Sequence, residues 1–304
     1  MSTDTPSVSD LSAALADSAE TLAASLVRVA TGRRPTTGTV FADDLVVAAA
    51  HRMPRRDDVV VRVGDENKPA VIVGRDGGTD VALLRVEGGG LTVPTWVDTD
   101  QLRVANLVLA LGSGPRGVHA ALGIVSSLGG PWRTPTAAEV ARRIDVDGAL
   151  PRGGSGGPLA DLGGSVLGLN TAGVVRGGTT IPTETVRSVV EKLQRPGGLK
   201  RGRLGIAIQP VSLSKSATAA AGQETALLIT GLENGGAADT AGVLLGDALL
   251  AVDGVRVHRF QELATVLAER GGTDASLTIL RAGAVVEVPV HVSVREVRTG
   301  CAAG

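Results

Sequence analysis

Three residues carry side chains that could act together: His51, Asp80 and Ser155. A hydroxyl is a poor nucleophile near neutral pH. An imidazole that accepts its proton makes it reactive. A carboxylate behind the imidazole fixes the tautomer and stabilises the imidazolium. Each of the three stands at the end of an apolar run or beside a turn. His51 closes Val46-Val47-Ala48-Ala49-Ala50. Asp80 follows Gly77-Gly78-Thr79 and opens Val81-Ala82-Leu83-Leu84. Ser155 lies between glycine pairs, in Gly153-Gly154-Ser155-Gly156-Gly157-Pro158. Acyl transfer also needs backbone N–H donors converging on the oxyanion. Glycine reaches the required backbone angles without a Cβ clash. Gly153 and Ser155 are the expected donors.

Each residue alone has a plainer reading. A histidine ending a buried strand is often structural, an Asp after Gly-Gly-Thr is a turn residue, and Gly-Gly-Ser-Gly-Gly is a flexible linker. The run also fits the G-x-S-x-G elbow of α/β-hydrolases. That elbow needs a helix directly after the serine and its histidine later in the chain. Pro158 and a strand-like continuation oppose the helix. His258 and His291 do follow, but in a separate unit. His119, His258 and His291 read as surface residues, with His119 just before a strand. No pair of histidines has metal-ligand spacing, and no glycine loop carries the Lys-Ser or Lys-Thr of a phosphate site. No metal and no cofactor is therefore expected.

The elements that must position the three residues are mostly short strands. Asp10 to about Leu22 predicts an amphipathic helix, capped by Ser9 or Asp10. Strand-like runs follow at 25–30, 44–50, 58–63, 69–74, 81–86, 104–111 and 121–126. Glu184 to Gln194 predicts a helix with Val186, Val189, Val190 and Leu193 on one side, and Arg195-Pro196-Gly197-Gly198 stops it. A second unit follows. It has strands near 204–209, 226–232, 247–252, 275–281 and 285–293, and short helices near Ala237–Ala241 and Phe260–Arg270. The expected organisation is a helical segment over 1–23, a main domain over 24–194, a linker over 195–202, a second domain over 203–296 and a tail from 297.

Composition limits the alternatives. Of 304 residues 43% are hydrophobic but only 1% aromatic, so the core must be aliphatic. The 42 Gly and 14 Pro suit a mainly β chain with many turns. A net charge of −1 leaves no footprint for nucleic acid. The one cysteine, Cys301, excludes an intrachain disulfide. No apolar run is long enough to span a bilayer, and the N-terminus lacks a leader pattern. These features point to the cytoplasm, or to an extracytoplasmic site if a leader has been removed.

Taken together, the motifs resemble the HtrA (Deg) family of trypsin-like serine proteases with a C-terminal PDZ domain. Val46 to His51 is similar to the strand before the family's catalytic histidine, and Thr79-Asp80-Val81-Ala82-Leu83-Leu84 to its T-D-[IV]-A-[VL]-L segment. Asp147 to Leu159 resembles D-A-A-I-N-x-G-N-S-G-G-P-L, with Gly154 in place of the usual Asn. Gly123-Ile124-Val125-Ser126 and Leu167 to Ala172 match further blocks, and Gly246 to Gly254 resembles the PDZ G-D-x-I-x-x-[VI]-[ND]-G. The resemblance implies a chymotrypsin-like double β-barrel followed by a PDZ domain. It implies a Ser155-His51-Asp80 endopeptidase acting on unfolded polypeptides. Ala149 replaces the pocket carboxylate of trypsin. With Leu150 and Ala172 nearby, small apolar residues are expected at P1, and Asn170, Thr171 and Ala172 should line the substrate strand. Leu204, Gly205 and Ile206 should hold a peptide C-terminus. A homotrimer is the assembly such a chain allows. The rival from another class is a catalytically silent PDZ scaffold or chaperone.

Overall fold

A computed structural model describes residues 7–31, 35–54, 56–148, 150, 153–195, 201–267 and 270–295. Helix α1 spans Val8–Ala23. Its cap is Ser7 rather than Ser9 or Asp10: the Ser7 hydroxyl accepts from Asp10 N–H, and the Asp10 carboxylate accepts from Ser7 N–H at 2.8 Å. This reciprocal box satisfies two orphan donors at once. The Ser7 hydroxyl, and then its N–H, hold the Asp10 carboxyl below the usual carboxylate range. Leu22 ends the buried stripe and packs on Leu26, Leu109 and Leu111.

Six strands follow: β1 (Leu26–Ala30), β2 (Thr36–Ala42), β3 (Leu45–Ala49), β4 (Asp58–Val63), β5 (Glu66–Asp76) and β6 (Val81–Val86). They close into a barrel in the order β1-β2-β3-β6-β5-β4. Val27, Val29, Val40, Val46, Ile72 and Leu84 fill it. Each fully buried aliphatic side chain of this kind contributes about 2 kcal/mol. Aliphatic residues suffice because a six-stranded barrel interior is narrow.

Strands β7 (Leu107–Gly114), β8 (Gly117–Leu128), β9 (Trp132–Arg133), β10 (Glu139–Val140), β11 (Ile144–Asp147), β12 (Pro158–Ala160), β13 (Val166–Thr171) and β14 (Thr179–Pro182) come next. Six of them order as β11-β8-β7-β12-β13-β14, and the edge strands β11 and β14 pack together, bringing the sheet round into a second barrel. The small hairpin β9–β10 and strand β11 carry too few residues to show a periodic pattern. The run expected at 104–111 begins later, because Ala105 turns the chain with φ +72°. Helix α2 (Thr183–Gln194) buries Val186, Val189, Val190 and Leu193 against Leu45, Leu83 and Leu169, so it packs on both barrels.

A separate compact unit contains β15 (Arg201–Arg203), β16 (Ile206–Ser212), α3 (Lys215–Ala221), β17 (Thr225–Leu232), α4 (Ala237–Thr240), β18 (Ala248–Val252), β19 (Val255–Arg256), α5 (Phe260–Leu267), β20 (Asp274–Arg281), β21 (Ala284–His291) and β22 (Ser293–Arg295). Its main sheet runs β16-β17-β18-β20-β21, with β16 at one edge. The composition is therefore met as a mainly β chain with two barrels and a smaller unit built on that main sheet. Helix α3 escaped the sequence pattern because its Ala-rich run carries little apolar contrast between faces. The expected linker lies largely, and the tail and Cys301 wholly, outside the described residues.

One ion pair anchors the second unit. Asp247 is 2% exposed and accepts from Arg281 at 2.7 and 2.9 Å and from Leu244 N–H at 2.8 Å. Burial pushes its carboxyl up, but the Arg281 guanidinium and the Leu244 N–H outweigh burial and hold it below the usual range. Because the folded value lies below the unfolded one of about 3.9, the pair's contribution is complete well above that pH. It is lost as pH falls through the lower folded value. Asp247→Asn should therefore destabilise this unit by about 2 kcal/mol at neutral pH. Hydrogen exchange of the β17 and β18 amides measures it, and the difference from wild type should shrink toward pH 2.

Candidate active site

The apolar strand β3 is buried along its whole length and ends in a single 3-10 turn, Ala50–Arg52. That turn lifts His51 out of the barrel wall. Asp80 closes the β5–β6 connection in the left-handed region, with φ +63°. A non-glycine residue there is strained, and its surroundings must hold it. Here Asp76, itself buried, accepts from Gly78 N–H at 2.8 Å and from the Thr79 hydroxyl at 2.8 Å, which pins the turn.

The Asp80 carboxylate is 4% exposed and takes three hydrogen bonds. His51 N–H donates to Oδ1 at 2.7 Å, His51 Nδ1 lies 2.6 Å from Oδ2, and the Thr171 hydroxyl also donates to Oδ2. A carboxylate only accepts, so Nδ1 carries a proton and the lone pair of neutral His51 falls on Nε2. Thr171 in turn accepts from Gly173 N–H at 2.9 Å. Sequence reasoning placed Thr171 on the substrate strand; its side chain instead holds the carboxylate. Gly173 was missed. A Cβ there would lie 2.5 Å from Asp80 Oδ2 and 2.6 Å from His51 Nδ1, so only glycine leaves room for the pair.

Ser155 sits in a loop that is seated rather than loose. Three threonines of β2 each donate to one of its carbonyls: Thr36 to Ser155 O at 3.0 Å, Thr37 to Gly153 O at 2.8 Å and Thr39 to Gly156 O at 2.9 Å. From the other side Gly156 N–H donates to Asn170 O, and Asn170 N–H to Gly157 O, both at 2.8 Å. A Cβ on Gly156 would overlap Thr37 O, and one on Gly157 would overlap Leu111 O. The glycines after the serine therefore serve close backbone approach, which rules out the linker reading. Strand β12 follows the serine directly, so the helix of an α/β-hydrolase elbow is absent. The threonines were missed because Thr-Thr-Gly-Thr reads as ordinary strand sequence. Their complete burial was the signal, and it is a property of the fold.

The Ser155 hydroxyl accepts from Ala172 N–H at 3.2 Å, and no hydrogen bond joins it to His51 among the described residues. The amides of Gly153 and Ser155 donate to no described group. Of the expected substrate strand, Asn170 offers no free main-chain group, because the serine loop uses both. Its side chain is also engaged, donating to Pro158 O and accepting from Thr180. Leu150, Asn170, Gly178, Thr179 and Thr180 line a cavity of about 110 Å³. Among the described residues Asp145 is the one ionisable group on its wall, and it is paired with Arg143 at 3.0 Å. Ala149 lies outside the described residues.

In the second unit, Leu204, Gly205, Ile206, Ile208, Phe260 and Leu263 line a cavity of about 260 Å³ between the edge strand β16 and α5. Gly205 has φ +73°, and the Leu204 and Gly205 amides donate to no described group. Phe260 is 47% exposed and lines the groove, whereas Leu267 is buried and belongs both to the core and to the groove floor. His119 does not precede a strand but lies within β8, with its Nε2 buried. His258 is held by Thr225 at 2.9 Å and its N–H by Glu262, whereas His291 is exposed and paired with Asp274. Among the described residues no cluster of His, Cys, Asp and Glu could hold a metal, and no helix is long and apolar enough to cross a membrane.

Comparison with known proteins agrees with this architecture. The family "Trypsin-like peptidase domain" matches residues 36–169, and the family "PDZ domain" matches residues 228–281. The probable periplasmic serine endoprotease DegP-like of Halomonas elongata is 33% identical over 260 residues, covering 82% of this chain and 54% of that protein. The protein so described from Ectopseudomonas mendocina is 31% identical over 263 residues, covering 83% and 55%. The chain thus spans about half the length of the curated relatives it matches. In fold it is similar to the HtrA-type protease AlgW with decapeptide (TM-score 0.63, 22% identity, 93% of this chain and 99% of that one). It is also similar to the serine endoprotease from Yersinia pestis (TM-score 0.62, 22% identity, 96% and 100%).

The seating of the serine loop is open to test. Gly157→Ala should lower the unfolding free energy of the two-barrel unit by at least about 2 kcal/mol, the cost of forcing a methyl into filled space. Denaturant unfolding followed by Trp96 and Trp132 fluorescence would measure it. A change below about 0.5 kcal/mol would mean that the loop can lift off β7 freely.

Proposed function

The chain belongs to the HtrA/DegP-like family of trypsin-like serine proteases with a PDZ domain, and from that premise we propose that it is a serine endopeptidase of unfolded polypeptides. One observation carries the reading. The buried Asp80 carboxylate fixes His51 with its Nε2 lone pair free, beside a rigidly seated Ser155. In the reaction His51 Nε2 takes the Ser155 proton as Oγ attacks the substrate carbonyl. Asp80 stabilises the imidazolium, and the amides of Gly153 and Ser155 hold the oxyanion. His51 then returns the proton to the leaving amine, and water hydrolyses the acyl-enzyme by the reverse path. Losing one oxyanion donor would cost on the order of 10²–10³ in turnover.

The substrate would add a strand along Thr171 to Gly173, with its P1 side chain in the cavity beside Leu150. Among the described residues no unpaired charge faces that cavity, which favours Val, Ala, Leu or Ile. The groove beside β16 suits an apolar peptide C-terminus, its carboxylate taken by the amides of Leu204 to Ile206. The relatives are described as periplasmic, which favours the extracytoplasmic alternative over the cytoplasm. A homotrimer remains part of the proposal, to be read from sedimentation.

The scaffold reading draws on one observation: the Ser155 hydroxyl is engaged by Ala172 N–H instead of by His51. We reconcile the two as a resting arrangement that a bound peptide shifts toward the active one. Casein should be cleaved by the wild type and left intact by Ser155→Ala. Cleavage-site profiling should return small aliphatic residues at P1, and a preference for Lys or Arg would contradict the pocket assignment. A peptide ending in Val should raise turnover, whereas unchanged turnover with the groove filled would sink the activation step.

A further inference from the structure

His119 faces Gly112 directly across the β7–β8 pair. Its ring fills the space that a side chain at position 112 would take. A Cβ built there would lie 2.5 Å from His119 Nε2, 3.0 Å from Cε1, and 3.2 Å from Gly154 Cα. A Cβ on Gly114 would meet Cε1 and Nδ1 of the ring at 3.5 Å. Two glycines of β7 thus open a slot in which the imidazole lies. The residue immediately before Ser155 shares that slot.

Nε2 of His119 is shielded from solvent and has no hydrogen-bond partner among the described residues. Buried polar atoms in native proteins are nearly always paired, so an orphan calls for a reason. Gly154 is also buried, and its N–H donates to no described group. A ring nitrogen and a backbone donor without described partners therefore border the same slot. The carbonyls of this segment are already used: Gly153 O accepts from Thr37, and Gly154 O accepts from Gly157 N–H at 2.9 Å.

We propose that His119 is a positioning residue for the serine loop: in the substrate-engaged state its neutral imidazole accepts a hydrogen bond from Gly154 N–H through Nε2. A neutral ring with its proton on Nδ1 is the form that can accept there. The bond would fix the peptide planes on either side of Gly154, and so aim the Gly153 and Ser155 amides at the oxyanion. It would also restrain the Gly-Gly pair, whose freedom is greatest just where precision is needed. His119 touches no reacting atom in this role.

The inference rests on the endopeptidase reading, and the test separates the two. Steady-state cleavage of one peptide substrate would be compared for wild type, His119→Leu and His119→Gln, together with binding of a peptide boronate. The boronate's tetrahedral adduct occupies the oxyanion site, so it reports transition-state binding. Leucine fills the slot without an acceptor, and should lower kcat on the order of 10²-fold while KM changes less than about twofold. Boronate affinity should fall with kcat. Glutamine restores an acceptor near the Nε2 position and should recover most of both. His119→Leu turnover within twofold of wild type would overturn the proposal, as would His119→Gln as slow as His119→Leu. Failure of the wild type itself to cleave would overturn the endopeptidase reading and this inference together.

Discussion

The buried carboxylate of Asp80 is the group on which the rest of the site depends. A charge taken out of water costs several kcal/mol unless donors replace its hydration. Here the donors come from both barrels. His51 and Asp80 stand at adjacent ends of β3 and β6 in the first, and Thr171 ends β13 in the second. The carboxylate is satisfied only when the barrels meet correctly, so the same bonds that orient His51 also set the barrel–barrel register. The left-handed backbone at Asp80 and the buried Asp76 turn behind it are the local cost of delivering the carboxylate to that junction.

The serine loop answers a related demand with backbone groups. A loop that must expose amides to a substrate cannot use them for its own support. It is held instead by its carbonyls, which take hydroxyl donors from Thr36, Thr37 and Thr39. The glycines then bring the chain close enough for those bonds to form. This division leaves the amides of Gly153, Gly154 and Ser155 without described partners, and the first and last of these are the proposed oxyanion donors. The middle one is the amide proposed to find His119.

Much of this was legible in the residues. The apolar runs ending at His51 and opening at Asp80 located both, and the glycine pairs marked Ser155 as special. The aliphatic composition and turn density indicated the mainly β fold, and the PDZ-like run 246–254 indicated the second unit. What remained hidden depends on tertiary contact. Thr171 and Gly173 act on Asp80 across about 90 residues of chain, a relation no local pattern encodes. The hydroxyls of β2 look like ordinary strand residues until their burial is known. His119 read as surface because a lone histidine just after the turn residues Gly114-Pro115-Arg116-Gly117 has no periodic partner, whereas the open face of Gly112 admits its ring.

The central claim is that Asp80, His51 and Ser155 make one chemical unit. Covalent labelling by a fluorophosphonate tests it most directly, because the probe needs an activated hydroxyl and no peptide recognition. The account predicts a single adduct, mapped by mass spectrometry to Ser155 in the wild type and missing from His51→Ala. An unmodified Ser155, or labelling that persists without His51, would contradict it.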